Sequence, residues 1–187
     1  MATRAEDSLR EQVLDAARKL FMERGYEAVG MREIAEAVGK QPIQIYRLKL
    51  SKADILAELI IELNQEQIEA LPVLCKRVRG TAALDRTCSY LRELYKLDIQ
   101  HLPIRSVGAA FGWMWSADQE RHVLAQVAQL VAPVVQWMQD AGLEDVEARV
   151  IGIWSLYYVG YRHAVIHGGS ASACLKAIKP SLSYFFK

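Results

Sequence analysis

The stretch "MREIAEAVGKQPIQIYRLKLSK", residues 31–52, reads as two short amphipathic helices hinged at one glycine. Ile34 and Val38 lie one turn apart with the small Ala35 beside them, and Ile45 and Leu48 return on the core side. Gly39 can take the left-handed conformation that ends the first helix, and Pro42 suits the first turn of the second, where a missing N–H is no loss. Two helices crossing steeply through a tight turn need these features: a small residue at the close approach, a glycine at the turn, and apolar residues locking the second helix.

Upstream, residues 7–24 predict an amphipathic helix. Leu9, Val13, Leu14, Ala17, Leu20 and Phe21 form one face, and Gly25 ends it. Downstream, Ser51 is a plausible N-cap for a long helix that should end before Pro72. Further helices are expected at about 81–100, 104–113, 117–140, 146–167 and 172–186, with Pro133 and Pro180 kinking two of them. No segment alternates as a strand does between turn signals. The fold class is therefore all-α, with three small helices over residues 1–50 feeding a larger helical domain over 51–187.

The 187 residues are 52% hydrophobic and 24% charged, which places the chain among folded globular proteins. A net charge of +1 gives no chain-wide attraction to nucleic acid or membrane, so any such attraction must be local. It is local. From Lys40 to Lys52 there are four basic residues, Lys40, Arg47, Lys49 and Lys52, and no acidic one, whereas residues 1–50 as a whole carry nine basic and eight acidic. Phosphate contacts need such a cluster, and base edges need side chains with both donors and acceptors, which Gln41 and Gln44 supply. Gln44 is the first choice for an adenine contact. Tyr46, Lys49 and Lys52 suit phosphate oxygens, and Arg47 could serve either. The competing explanation is a solvated helix face, with Lys49 merely snorkelling past the core.

The segment "AARKLFMERGYEAVGMREIAEAVG", residues 16–39, followed by Tyr46 and "SKADIL", residues 51–56, resembles the tetracycline-repressor (TetR) family of bacterial transcription regulators. The resemblance covers about a third of the chain by motif. It implies a homodimer whose paired recognition helices enter successive major grooves of a palindromic operator, and a carboxy-terminal domain that binds a small molecule and releases the DNA. The family pattern usually has an apolar residue and serine where Lys40 and Gln41 stand, and glycine and threonine at Ile43 and Gln44. It also has an aromatic soon after Tyr46, where Leu48, Lys49 and Leu50 occur. The operator sequence cannot therefore be carried over from relatives.

In the larger domain, Phe111, Trp113, Trp115, Trp154, Tyr157, Tyr158 and Tyr161 are candidates for the walls of a small-molecule site, since tyrosine and tryptophan combine apolar faces with polar tips. The competing explanation, which has the stronger claim on any single residue, is core or dimer-interface packing. Gly152, Leu156 and Gly160 fall on one helical face and let another helix approach closely, in a second copy or within the same subunit. The family resemblance makes the last two helices the expected dimer surface.

Cys75, Cys88 and Cys174 have neither disulfide parity nor C-x-x-C spacing, which fits a reducing cytoplasm. The greasiest run, residues 150–161, is too short to span a bilayer. "HGGSASAC", residues 167–174, lacks G-x-S-x-G and reads as a helix stop followed by the capping Ser170. His163 and His167 lie one turn apart without the glutamate of H-E-x-x-H. No enzyme activity, cofactor or metal is expected. The expected partners are double-stranded DNA, an unidentified small-molecule effector and a second copy of the chain. Two alternatives remain open at this point: a DNA-binding protein of the same fold without a ligand, and a helical protein or enzyme that binds no DNA.

Overall fold

The computed structural model describes residues 4–187, and of Trp113 the backbone alone. Among the described residues there is no strand. The α-helices are α1 (Arg4–Arg24), α2 (Met31–Ala37), α3 (Pro42–Tyr46), α4 (Lys52–Arg77), α5 (Ala83–Gln100), α6 (Leu102–Phe111), α7 (Ala117–Asp140), α8 (Val146–His167) and α9 (Ala171–Leu182). Short 3₁₀ turns at Gly112–Met114 and Ser183–Phe186 follow α6 and α9.

The chain divides into two compact units, one running to Leu63 and taking in His101–Glu120, the other made of Asn64–Gln100 and Arg121–Lys187. The three-helix start is thus part of a larger body. Ile55, Leu56, Leu59, Ile60 and Leu63 on the start of α4 and Ile104 on α6 join the buried core formed by Val13, Ala17 and Phe21 of α1, Ile34 of α2 and Ile45 of α3. Gly108 of α6 lies directly against Ile60, so closely that a Cβ there would overlap the isoleucine. Arg10 of α1 pairs with Glu58 of α4, whose burial raises its pKa despite that partner.

In the second unit α9 packs against α8 and α5. Tyr90, Tyr95, Leu91 and Leu94 of α5 are buried. The Tyr95 hydroxyl donates to the Tyr157 carbonyl at 2.8 Å, and the Tyr90 hydroxyl to the Leu130 carbonyl at 2.7 Å. Gln67 Nε2 donates to Asp98 Oδ1 at 2.6 Å, the Tyr157 hydroxyl donates to the other carboxylate oxygen, and Asn64 Nδ2 donates to Gln126 Oε1 at 3.2 Å. These polar side chains are almost wholly buried, so each bond offsets a desolvation that would otherwise cost about 1–3 kcal/mol.

Helix α4 does not end before Pro72. It continues to Arg77 with the proline inside it. The buried Leu74 lies beyond Pro72, and continuing the helix is what buries it.

Candidate nucleic-acid interface

The local fold around α3 is set by four devices. Glu33 accepts a hydrogen bond from the Gly30 backbone N–H and another from Arg24 at 2.6 Å, which caps α2 and holds the Glu33 carboxyl below its ordinary range. Gly39 has φ of 64°, and the Lys40 N–H donates to the Ala35 carbonyl at 2.9 Å, closing α2 as a left-handed glycine does. Ile45, fully buried, pins α3 to the core. Lys49 then takes φ of 55°, a conformation uncommon outside glycine and asparagine, which turns the chain so that Leu50 enters the core.

Ser51 and Asp54 cap α4 reciprocally: the Asp54 N–H donates to Ser51 Oγ at 3.1 Å and the Ser51 N–H to Asp54 Oδ2 at 2.9 Å. The Ser51 hydroxyl also donates to Asp54, and these bonds hold its carboxyl below the usual value.

The outcome is a five-residue α3 whose Ile45 faces inward while Ile43, Gln44 and Tyr46 face solvent, with Gln41 exposed before it and Arg47 after it. Lys40 and Lys49 are exposed as well, so six of the seven expected DNA-contacting residues are open to solvent. The seventh, Lys52, is engaged differently. Its Nζ sits 4.0 Å from the Tyr26 ring centroid, a cation–π contact worth about 0.5–1 kcal/mol at an accessible site.

Gln44 is also tied. Its Oε1 accepts from the Gln41 backbone N–H at 2.9 Å, so the side chain closes the start of its own helix and faces outward through Nε2. Ile43 is 61% exposed and Tyr46 56%. The expected contact set omitted Ile43, although "PIQIY" carried the signal: residues 43 and 45 are two apart and cannot share a helix face.

Residues 13–59 match the family model of bacterial regulatory proteins, tetR family. Over this stretch the chain is similar to the tetR family. Beyond it, solved structures of tetR-family regulators share the fold along nearly the full length. A fatty acid degradation regulator, FadR, from Bacillus halodurans superposes with a TM-score of 0.68 at 17% identity, covering 97% of this chain and 96% of that one. A TetR/AcrR-family transcriptional regulator from Thermobifida fusca gives 0.65 at 20%, covering 94% and 96%. Thermus thermophilus FadR, a TetR-family transcriptional repressor in complex with lauroyl-CoA, gives 0.65 at 16%, covering 95% of each chain. No curated protein sequence matches.

Against that tetR-family fold, the aromatic candidates separate into two groups. Phe111 and Trp115 pack on the core of the first unit, Phe111 lying 5.5 Å from the Tyr26 ring. The Trp113 side chain lies outside the described residues. Trp154, Tyr157, Tyr158 and Tyr161 belong to the second unit. There Tyr95, Tyr157 and Trp154 stack nearly parallel with centroid spacings of 4.3 and 5.0 Å, and Tyr158 meets Trp154 edge-on. Tyr157 and Tyr161 are buried, whereas Tyr158 reaches the surface.

Gly152 and Gly160 make their close approaches inside the chain. A Cβ on Gly160 would collide with the Tyr95 hydroxyl and come within 2.9 Å of the Cys174 carbonyl, and one on Gly152 would collide with the Phe185 ring. Leu156 is half-buried between them. The opposite side of α8 exposes Ile151, Tyr158, Val159 and Ile166, with Ile151 69% exposed.

Ser170 Oγ accepts from the Ala173 N–H, capping α9, which gives that hydroxyl a structural task. His163 and His167 lie with ring centroids 4.8 Å apart. No set of three or more histidine, cysteine, aspartate or glutamate side chains suited to a metal occurs among the described residues. No helix among them is long and apolar enough to cross a membrane.

Proposed function

We propose that the protein is a homodimeric transcriptional repressor that holds a palindromic DNA operator through α3 and releases it when a small apolar or aromatic molecule binds the second unit. The observation that carries this is the outward face of α3 and its flanks. Gln41, Gln44, Tyr46 and Arg47 face solvent there beside Lys40 and Lys49, with no carboxylate from residue 40 to residue 52. A polyanion is the complementary partner for such a face, and a helix in the major groove is how a helix-turn-helix brings side chains to base edges.

The second copy is argued from α8. Its outward face carries Ile151, Tyr158, Val159 and Ile166, an apolar stripe of the kind that marks an interface. A two-fold pair places two recognition helices about 34 Å apart, one turn of DNA, so a shift of a few ångströms abolishes simultaneous docking. The aromatic stack of the second unit supports an apolar or aromatic effector, and lauroyl-CoA in the Thermus thermophilus repressor is consistent with an effector bearing a long apolar part. Such a molecule shifts the equilibrium only by its differential affinity for the two states.

The test is selection of bound fragments from random DNA with the purified protein, followed by affinity measurements across salt concentrations. An inverted repeat with half-sites one turn apart and affinity falling steeply with salt is expected. Gln44→Ala should alter base preference, whereas Lys40→Ala, at an exposed cation beside α3, should weaken all sequences alike. DNA affinity that is absent or insensitive to salt excludes the proposal. Operator release that no hydrophobic compound provokes, with flat tryptophan fluorescence, removes the effector from it.

A further inference from the structure

Ile43 is an expensive residue to leave in water. Its neighbour Ile45 already supplies the buried anchor of α3, so Ile43 adds nothing to the core of its own chain. A single exposed isoleucine is ordinary on a protein surface. This one lies on the solvent side of α3 away from Ile45, with Gln44 and Tyr46 exposed to either flank, in a stretch that carries basic residues and no acidic one, a setting that suits a nucleic-acid groove. An apolar side chain has one distinctive target on a major-groove edge, the C5 methyl of thymine.

Gln44 narrows the choice further. A bidentate contact to adenine needs the amide oxygen to accept from N6 while the nitrogen donates to N7. Here Oε1 already accepts from the Gln41 N–H at 2.9 Å, and it would have to share itself to serve adenine. Its nitrogen, by contrast, fits an edge that only accepts. Thymine presents such an acceptor, O4, beside its methyl group.

We propose that Ile43 is a base-reading residue that recognises thymine through its C5 methyl group, with Gln44 Nε2 donating to a neighbouring acceptor such as O4. This rests on the DNA-binding role proposed above and assigns base identity within it.

The experiment uses the intact protein and the site it selects from random DNA. Each thymine is replaced in turn by deoxyuridine, which removes the methyl group and leaves the hydrogen-bonding edge unchanged. The expected result is one thymine per half-site at which the replacement weakens the wild-type protein about fourfold, the worth of one buried methyl group. Ile43→Ala should bind the thymine site more weakly and lose its sensitivity to deoxyuridine there, while Ile43→Val should retain part of it. Because Ile43 is exposed, both variants should keep the wild-type thermal midpoint. Deoxyuridine tolerated at every position, or the same sensitivity in wild type and Ile43→Ala, overturns the assignment while leaving DNA binding intact. Loss of all salt-dependent DNA binding in the wild-type protein would instead remove the underlying role, and the assignment with it.

Discussion

At the scale of single residues, Gly160 is the position most tightly constrained by its surroundings. The Tyr95 hydroxyl and the Cys174 carbonyl occupy the space a side chain would need, and neither can retreat without breaking packing between α5, α8 and α9. Gly160→Ala should therefore destabilise the protein by about 1–3 kcal/mol, read as a lowered denaturant midpoint. Gly152→Ala should cost less, because Phe185 belongs to a terminal 3₁₀ turn. Equal stability of Gly160→Ala and wild type would show that the helices separate freely there.

Gly152, Leu156 and Gly160 at four-residue spacing announced a close helix approach. That spacing could not name α5, which is distant in sequence. The same limit hid the Lys52–Tyr26 contact, which joins residues that no local periodicity connects. Ile43 differs, because its exposure follows from α3 having one inward position already filled by Ile45.

At the scale of elements, the connection from α3 to α4 is strained. Lys49 holds φ of 55°, which costs a side-chain-bearing residue about 1–2 kcal/mol, and the return on that strain is the burial of Leu50. Lys49→Gly should thus raise thermal stability by about 0.5–1 kcal/mol while weakening DNA affinity through the loss of one cation, two effects measurable independently. Destabilisation by this substitution would contradict the strain.

The boundaries of most helices were legible from caps and apolar spacing: α7 and α8 begin and end where periodicity predicts. Pro72 misled. A proline usually marks a helix end, but α4 carries on to bury Leu74, a tertiary gain that local propensity does not register.

At the scale of the whole molecule, stability should fall in alkali. Burial raises the pKa of Tyr90 and Tyr95 above the ordinary 10.0, and of Cys88 and Cys174 above 9.0. These groups stay protonated in the fold but release protons when the chain unfolds. Their stabilising contribution is whole below pH 9 and erodes as pH rises past 9 and then 10, each group adding a slope of about 1.4 kcal/mol per pH unit. Denaturant midpoints at pH 8, 10 and 11 should show the decline, and Tyr95→Phe should make it shallower. A stability flat to pH 11 would mean these side chains ionise in place.

The all-α class was readable from periodicity alone. The grouping of α6 with α1–α3 was not, because apolar faces state that a helix is buried without stating against what.

That grouping also sets an order of events during synthesis. Gly108 seats α6 directly on Ile60, yet the ribosome makes the start of α4 dozens of residues before α6. At about 5–20 residues per second, the apolar side of α4 waits for seconds without its cover. A nascent chain can therefore display α3 before the body that steadies it is complete, with the apolar side of α4 still open to water.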